Sequence, residues 1–532
     1  MTQDNYYTSK MDIAGSHNKT YIIALDIGTT TLRAHVYDTQ TNIVGAGSKK
    51  IELLYPKTGW VEMDPGVLWQ QVQDVIKEAI AAANLKVSDI ACMGITTQRG
   101  TFITWDRDSH KPFHNFITWQ DLRGSDYVKQ WNESITLKSF NAGAKLLHGV
   151  SRQKRFLAAA VLKFQAMQVS MRLLWVLNNN LEMRRRLNEQ RVQFGTLDTW
   201  LLWKFTEEKL WCTEISCASS TGMFDPFVVE WSNIVNMLLG IPLHMLPPIK
   251  DTCTEFCRIS KGIFGAEIPI TSVIADQQGA MFGQCCFNVG DVKCTLGTGT
   301  FLDLNTGNKP HASIAGLYPI VGWKIGNEIV YIAEGRASDT GPAIDWLRSI
   351  DMYDDLNELS RVAESVPDSG GVYFVNSFNG LQAPINDDKA CSGILGLNPS
   401  TSKAQIVRAL LENISFRFKL LYETALTETR IPLSHIRADG GVSNNDFIMQ
   451  LIADITNQSI ERPCHTDMTS LGAAFLAGLT IGIWKDKEEL LALRVVGKKF
   501  RANNNRWHQY KTVIQDWERA MKRCMFWYKE DK

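Results

Sequence analysis

Three short segments carry residues whose types and spacing suit the holding of phosphate. The first reads Asp26-Ile27-Gly28-Thr29-Thr30-Thr31-Leu32-Arg33. A carboxylate ending a buried strand can hold a divalent cation, directly or through water. Gly28 lets the backbone turn tightly, and consecutive N–H groups and threonine hydroxyls at a hairpin tip bracket phosphate oxygens. Arg33 adds a charge-assisted contact. A plain hairpin with threonine in its strands uses the same residues, and spacing alone leaves both readings open. The second segment, Gly297-Thr298-Gly299-Thr300, has the same capacity. Two such tips on opposite lobes would grip a triphosphate from both sides. The third, Asp439-Gly440-Gly441 before Ser443-Asn444-Asn445, is a common turn that also lets a flat adenine ring approach the backbone. Asp276 ends an apolar run and precedes Gln277-Gln278. It could accept a hydroxyl proton during phosphoryl transfer, or cap a helix over 277–283. Neither a GxxxxGK[ST] loop nor the protein-kinase loops occur.

The elements that must position these residues are legible in the apolar pattern. Tyr21–Asp26 and Thr31–Tyr37 read as strands around the first tip, and Ile43–Lys49 returns antiparallel after a turn over 38–42. Asp64 then Pro65 is a helix start, and Leu68, Val72, Val75, Ile76, Ala79, Ile80 and Ala83 keep helical spacing, so 65–84 is predicted helical. Ile90–Thr97 and Thr101–Trp105 read as strands flanking the corner Gln98-Arg99-Gly100, and Ile268–Ile274 as the strand leading to Asp276. Val292–Leu296 and Phe301–Leu304 flank the second tip, and the repeat of strand, Gly/Thr tip and strand suggests two lobes of related design. Further strands are expected at Val330–Ala333, Val372–Phe378 and Ile436–Asp439. Helices are expected at Thr340–Ser349, Lys403–Leu426, Asn445–Ile455, Thr469–Gly482 and Arg506–Tyr528. Residues 134–165 are basic and poorly periodic, either a solvated loop or helix with a charged face, or a docking surface for an acidic partner.

Composition narrows the function classes. The 532 residues allow two large domains, and 45% hydrophobic with 21% charged residues is an ordinary globular balance. Lys+Arg and Asp+Glu are both 56, so nothing drives the whole chain toward nucleic acid. The longest apolar stretches, such as Ser470–Trp484, fall short of a bilayer span, and the polar start lacks a secretory signal. Residues 1–20 are expected to be a mobile tail and the compartment cytoplasmic. Eleven cysteines, including Cys253/Cys257 and Cys285–Cys286, suit buried or incidental thiols in a reducing compartment.

Taken in order, LDIGTTTLRAHVYD, YPKTGWVEMDP, GITTQRGTFITW, TWQDLR, FGTLDTWLLWK, ADQQGAMFG, LGTGTFLDLNTG, NGLQAPINDDKA, RADGGVSNNDFIMQ and TSLGAAFLAGL resemble the FGGY carbohydrate kinases, closest in wording to glycerol kinases. The resemblance runs from about Tyr21 to Trp527. It implies an α/β, two-lobed actin/Hsp70/sugar-kinase (ribonuclease H-like) fold with a deep interlobe cleft. Residues 21–286 would be the N-terminal lobe, with the polyol and phosphate side and the catalytic base, and 287–532 the C-terminal, nucleotide lobe. It implies ATP and Mg²⁺, the metal on Asp26, and phosphate contacts from Thr29, Thr30, Thr31, Arg33, Gly297 and Thr298. Nucleotide contacts carry over to Gly341, Gly441 and Asn445, and more loosely to Asp345, where glycerol kinases usually have Gln. Asp276 would be the base, and Arg99, Trp119, Gln277 and Phe301 would touch the polyol. A homodimer or tetramer follows by analogy.

The departures fall on the polyol side. Gly100 stands where glycerol kinases carry a Glu that hydrogen-bonds substrate hydroxyls, Met167 where they carry a Tyr, and Arg172 where they carry a signature Lys. A site built to pair a hydroxyl loses discrimination when one partner is deleted. Two functional readings follow. One is an ATP-dependent kinase of a small polyol, by resemblance glycerol to sn-glycerol 3-phosphate, or of another polyol or sugar. The other is a non-catalytic ATP-binding regulatory protein.

Overall fold

The computed structural model describes residues 20–465 and 467–529. The tail expected over 1–20 lies, but for Thr20, outside the described residues. The first sheet starts from β1 (Tyr21–Ile27), paired antiparallel with β2 (Thr31–Tyr37) so that Asp26 lies opposite Arg33, and β3 (Ile43–Lys50) completes the meander. β1 is buried from Ile22 to Ile27, as expected of a strand covered on both faces. Asp64 starts α1 (Pro65–Ala82): its carboxylate accepts from the N–H groups of Gly66 and Val67 at 2.8 and 2.9 Å. The predicted apolar face of α1 is buried, and the helix stops one residue short of Ala83, its C-cap. β4 (Ile90–Thr97) runs parallel to β1. β5 (Cys253–Arg258) and β6 (Pro269–Ala275) lie beyond β4, giving the order β5-β6-β4-β1-β2-β3.

The register of this sheet builds the site. Ile27 pairs with Thr97, and Thr97 with Ala275. Three parallel strands therefore end level, and the residues after them, Gly28, Gln98 and Asp276, open into one crevice, the place where ligands bind in such sheets. α2 (Asp276–Gly283) begins directly at Asp276.

The second sheet repeats the plan. β7 (Val292–Leu296) and β8 (Thr300–Gly307) form the second hairpin. β9 (Tyr318–Ile325) and β10 (Glu328–Ala337) extend it, and β11 (Ile436–Asp439) and β12 (Ile460–Pro463) add parallel strands on the other side. With the edge strand β13 (Val496–Phe500) the order is β9-β10-β8-β7-β11-β12-β13. Covering helices include α3 (Thr340–Ser349), α4 (Lys403–Thr429), α5 (Asp446–Thr456), α6 (Met468–Ile481) and α7 (Asn504–Cys524). α4 starts in a capping box between Ser402 and Gln405 and contributes Val407, Leu410, Leu411, Ile414, Phe418 and Leu421 to the C-terminal core.

Two expectations need correction. The strand over 372–378 is only Tyr373–Val375. Arg506–Tyr528 begins earlier and ends earlier, at Asn504 and Cys524. Of the two solvated readings of the basic region, loop or helix, it takes the helical one: Ser134 caps a helix over Ile135–Ser151, and another covers Lys154–Ala160. Its period looked poor because only Leu137 and Ala144 of the first helix are buried, while Ile135, Leu146 and Val150 face outward. All eleven cysteines are free.

The lobes meet where α2 and α6 cross. α6 follows strands of the second sheet yet packs on the first: Ser272 donates to the Ala473 carbonyl at 2.9 Å, Thr271 to that of Ala477 at 3.1 Å, and His35 and Tyr37 share the Ser470 hydroxyl at 2.9 Å each. The backbones approach so closely that a Cβ on Gly472 would stand 1.9 Å from the Gly279 carbonyl oxygen, and one on Gly283 2.1 Å from that of Met468. Substituting Gly472→Ala should therefore force the two helices apart and cost about 1–3 kcal/mol. Urea unfolding of the variant against the parent measures it; an unchanged midpoint would show that the crossing yields without cost.

Candidate active site

The first hairpin tip is closed by Gly28 N–H donating to Thr31 O at 3.1 Å. Asp26, Gly28, Thr29, Thr30, Thr31, Arg33, Asp276, Gln277 and Thr469, at the N-terminal end of α6, line a hollow of about 210 Å³. Polar atoms dominate its wall, which suits a phosphate chain rather than an apolar ligand. Arg33 reaches Asp26 and Asp467, each at 4.0 Å. Burial pushes the Asp26 carboxyl up to about 7, against the pull of Arg33 and with the help of Asp276 and Asp467. Buried carboxylates with so little compensation are a fitting seat for a divalent cation. Among the described residues no cluster of three or more His, Cys, Asp or Glu side chains could hold a metal. Mg²⁺ does not need one, since it commonly takes one or two carboxylates together with substrate phosphates and water.

Asp276 is not the N-cap that the sequence left open. Ala275 holds that position, and Asp276 is the first helical residue, its Oδ1 accepting from Gln277 N–H at 2.8 Å. Its carboxylate faces the hollow, and burial raises its pKa while Arg99 and Lys293 oppose the rise. Arg99 follows β4 and bridges the lobes: Nε lies 3.5 Å from Asp276 Oδ1, and Nη1 lies 2.6 Å from Glu334 Oε2 on β10. Burial disfavours the Arg99 cation, but Glu334 and Asp276 outweigh it. Gln277, expected at the polyol, instead accepts from Lys293 Nζ at 2.5 Å and from Thr295 at 3.3 Å. Lys293 is fully buried and also pairs with Asp303 at 3.1 Å. Trp119 is held by its own segment. Asp121 accepts from Val61 N–H at 2.7 Å, and Arg123 joins Asp121 to Glu62. The Trp119 indole N–H then donates to the Thr29 hydroxyl at 3.0 Å, tying the expected polyol wall to the phosphate tip.

On the other lobe, Gly341 at the start of α3 donates to Thr298 O at 3.1 Å, so the second tip and that helix are one unit. A Cβ on Gly341 would stand 3.1 Å from the Gly297 carbonyl oxygen. Asp345 lies one turn on and is exposed. Gly440, at φ +86°, packs where a Cβ would meet Leu296 O at 2.4 Å, which sets the third turn beside the second tip. Gly441 has open space around it. Asn445 is the N-cap of α5, its side chain accepting from Ile448 N–H at 3.1 Å, so its oxygen is already engaged. Phe301 is half-buried on β8, against Gly299 and paired in register with Arg336.

Glu334, Lys293, Asp303 and Thr469 escaped the sequence reading. Only the alternation of polar residues within β7, β8 and β10 hinted at an inward polar face. Arg172 stood out only as a departure, and its role is structural. It is fully buried and donates to Gly100 O at 2.7 Å, Met167 O at 2.6 Å and the carbonyl of Thr118. It therefore ties together the three loops bearing Arg99, Trp119 and Met167. Burial pulls its pKa down to about 9. Gly100 adopts φ +69°, a backbone that L side chains rarely take, and a Cβ there would meet Met167 O and the Trp119 Cβ at 3.3 Å each. A side chain at position 100 would therefore be strained in its backbone and tight against both neighbours.

Two α/β lobes of related topology, each with a Gly/Thr hairpin, and an acidic residue sharing a hollow with the first tip, define a phosphotransferase of the ribonuclease H-like class. The profile of the N-terminal domain of the FGGY family of carbohydrate kinases matches residues 21–283 and that of the C-terminal domain residues 292–481, so the chain belongs to this family. It is 50% identical over 509 residues to glycerol kinase 5 of Bos taurus, covering 96% of each chain. It is likewise 50% identical over 520 residues to glycerol kinase 5 of Danio rerio, covering 97% of this chain and 98% of that one. Among solved structures it superposes on Plasmodium falciparum glycerol kinase with ADP at a TM-score of 0.85 and 30% identity, covering 95% and 98% of the two chains.

If Arg172 holds the loops bearing Arg99, Trp119 and Met167, Arg172→Met leaves the Gly100 and Met167 carbonyls without its donors and leaves that of Thr118 with the Asp121 N–H alone. We expect KM for the acceptor to rise about tenfold or more, with KM for ATP unchanged. Arg172→Lys should recover part of the loss. Equal effects on both KM values would reduce Arg172 to a general support of the lobe.

Proposed function

We propose that this protein transfers the terminal phosphoryl group of ATP to a hydroxyl of a small polyol, with glycerol as acceptor and sn-glycerol 3-phosphate as product. The observation that carries this reading is that one hollow is shared by the phosphate-type hairpin 28–31 and the Asp276 carboxylate. A triphosphate seated on that tip presents its outer phosphorus to Asp276. The N–H groups and hydroxyls of 28–31 hold phosphate oxygens, and Arg33 adds charge. Asp26 is the residue that would hold Mg²⁺, which when bound neutralises phosphate charge. Gly297 and Thr298 grip the nucleotide from the opposite lobe, and Gly341, Asp345, Gly441 and Asn445 form the wall for its base and ribose.

Asp276 accepts the proton of the attacking hydroxyl. Its raised pKa suits this, because burial makes the carboxylate a stronger base than in water. Arg99 orients the acceptor and keeps Asp276 ionised between transfers. The N–H from Trp119 to Thr29 makes acceptor wall and phosphate tip move together. Gln277 and Arg99 each reach the other lobe, so closure of the cleft and alignment of the base are one event, which excludes water from the phosphorus. Gly100 and Met167 favour a second reading at the acceptor alone: with neither family side chain present, a polyol other than glycerol fits the same machinery.

The deciding experiment measures ATP-dependent product formation over a panel of polyols. Asp276→Asn should lower kcat by about 10²–10⁴ while ATP binding persists. Unchanged turnover removes Asp276 from the chemistry, and no turnover of any acceptor by the parent, with ATP still bound, leaves a regulatory nucleotide-binding protein. A pH profile adds a signed test. The base must be ionised, so activity falls as pH drops through its raised pKa. Glu334 pushes that pKa up and competes with Asp276 for Arg99. Glu334→Gln should therefore move the acid limb of kcat/KM to lower pH. A limb that stays in place or moves up contradicts the coupling.

A further inference from the structure

The helix over Ile135–Ser151 is amphipathic the wrong way round for a core element. Leu137 and Ala144 are its buried residues. On the opposite side Ile135, Ala142, Leu146 and Val150 fall within about 80° of one another at 3.6 residues per turn, an outward stripe about 22 Å long. Ile135 is 82% exposed, Leu146 74% and Val150 89%. Lys138 and Lys145 flank the stripe on one side, and Arg152 and Lys154 follow at its end, all exposed. Among the described residues none of these four cations makes an ion pair, and no Asp or Glu occurs between Ser134 and Leu181. Asp225 nearby is taken by Arg155 at 2.8 Å, and Glu133, on the preceding helix, is the nearest acid in sequence. The chain as a whole has zero formal net charge, so this is a local and uncompensated basic patch.

We propose that this helix is a peripheral docking element for an anionic phospholipid surface. A convex ridge of aliphatic side chains flanked by free lysines suits the headgroup boundary: the aliphatics enter it, and the cations meet lipid phosphates and carboxylates. Charge argues against a second copy of this chain, because two such ridges face to face would bring lysines against lysines. Shape argues against an extended acidic peptide, which needs a groove. No helix among the described residues is long and apolar enough to cross a membrane, so attachment here is reversible and interfacial.

The test uses the full chain and sedimentation with vesicles of phosphatidylcholine alone or mixed with phosphatidylserine. Binding is expected to the mixed vesicles only and to weaken with salt. Lys138→Glu with Lys145→Glu, and separately Leu146→Asp with Val150→Asp, should each cut it by at least about tenfold, with the parent's nucleotide affinity retained as the check on folding. Binding that neither pair reduces, or none above that to phosphatidylcholine, overturns the proposal. So does a dimer in solution that Leu146→Asp dissolves without any vesicle binding, which would give the stripe to a second copy.

Discussion

Everything at the cleft depends on carboxylates being buried there at all. Asp26 lies in β1 and Asp276 directly follows β6, two strands of one sheet with β4 between them. Left alone, such groups would take up protons, and the Asp26 carboxyl is already pushed up to about 7. Fixed cations oppose the rise at Asp276: Arg99, which also pairs with Glu334 of the second sheet, and Lys293. Buried pairs of this kind contribute little to net stability, because desolvation consumes most of the Coulomb gain. What they do is keep carboxyls of raised pKa beside the Gly28–Thr31 tip.

The same charges explain how the lobes communicate. Arg99 and Gln277 belong to the first lobe, yet their partners Glu334, Lys293 and Thr295 belong to the second. Behind them, α2 and α6 cross at Gly279, Gly283 and Gly472, so close that a methyl group does not fit. A tight apolar pivot and a polar latch in front of it suit a cleft that opens about one line. Because the latch residues are also those around Asp276, its geometry depends on how far the cleft has closed.

Local features of the fold were legible in the chain. Both hairpins, the Asp64 cap of α1 and the start of α5 at Asn445 are short-range signals, set by residues within a few positions of one another. β5, β9, β12 and β13 were not read. They are edge strands or pair with strands distant in sequence, where propensity carries little information. The site divides in the same way. Asp26, Thr29–Thr31, Arg33 and Asp276 line one hollow, and each stood out in its own short segment. Glu334 and Lys293 come from strands whose neighbours are fixed only by sheet order. Gln277 and Asn445 show the opposite limit: both were singled out in the sequence, but their oxygens are already occupied, by Lys293 and by a helix cap.

The departures at Gly100, Met167 and Arg172 then form one coherent change. A glutamate at position 100 would need a backbone at φ +69°, against Met167 O and Trp119. The buried guanidinium of Arg172 occupies three carbonyls that a shorter lysine ammonium would satisfy less completely, since its donors radiate from a single point. The lost carboxylate and the gained planar cation therefore fall on the same three loops, whose carbonyls the arginine joins. On the side carrying the two Gly/Thr tips the one departure is Asp345 for the usual Gln, so the changes of this chain concentrate on the three loops that Arg172 joins.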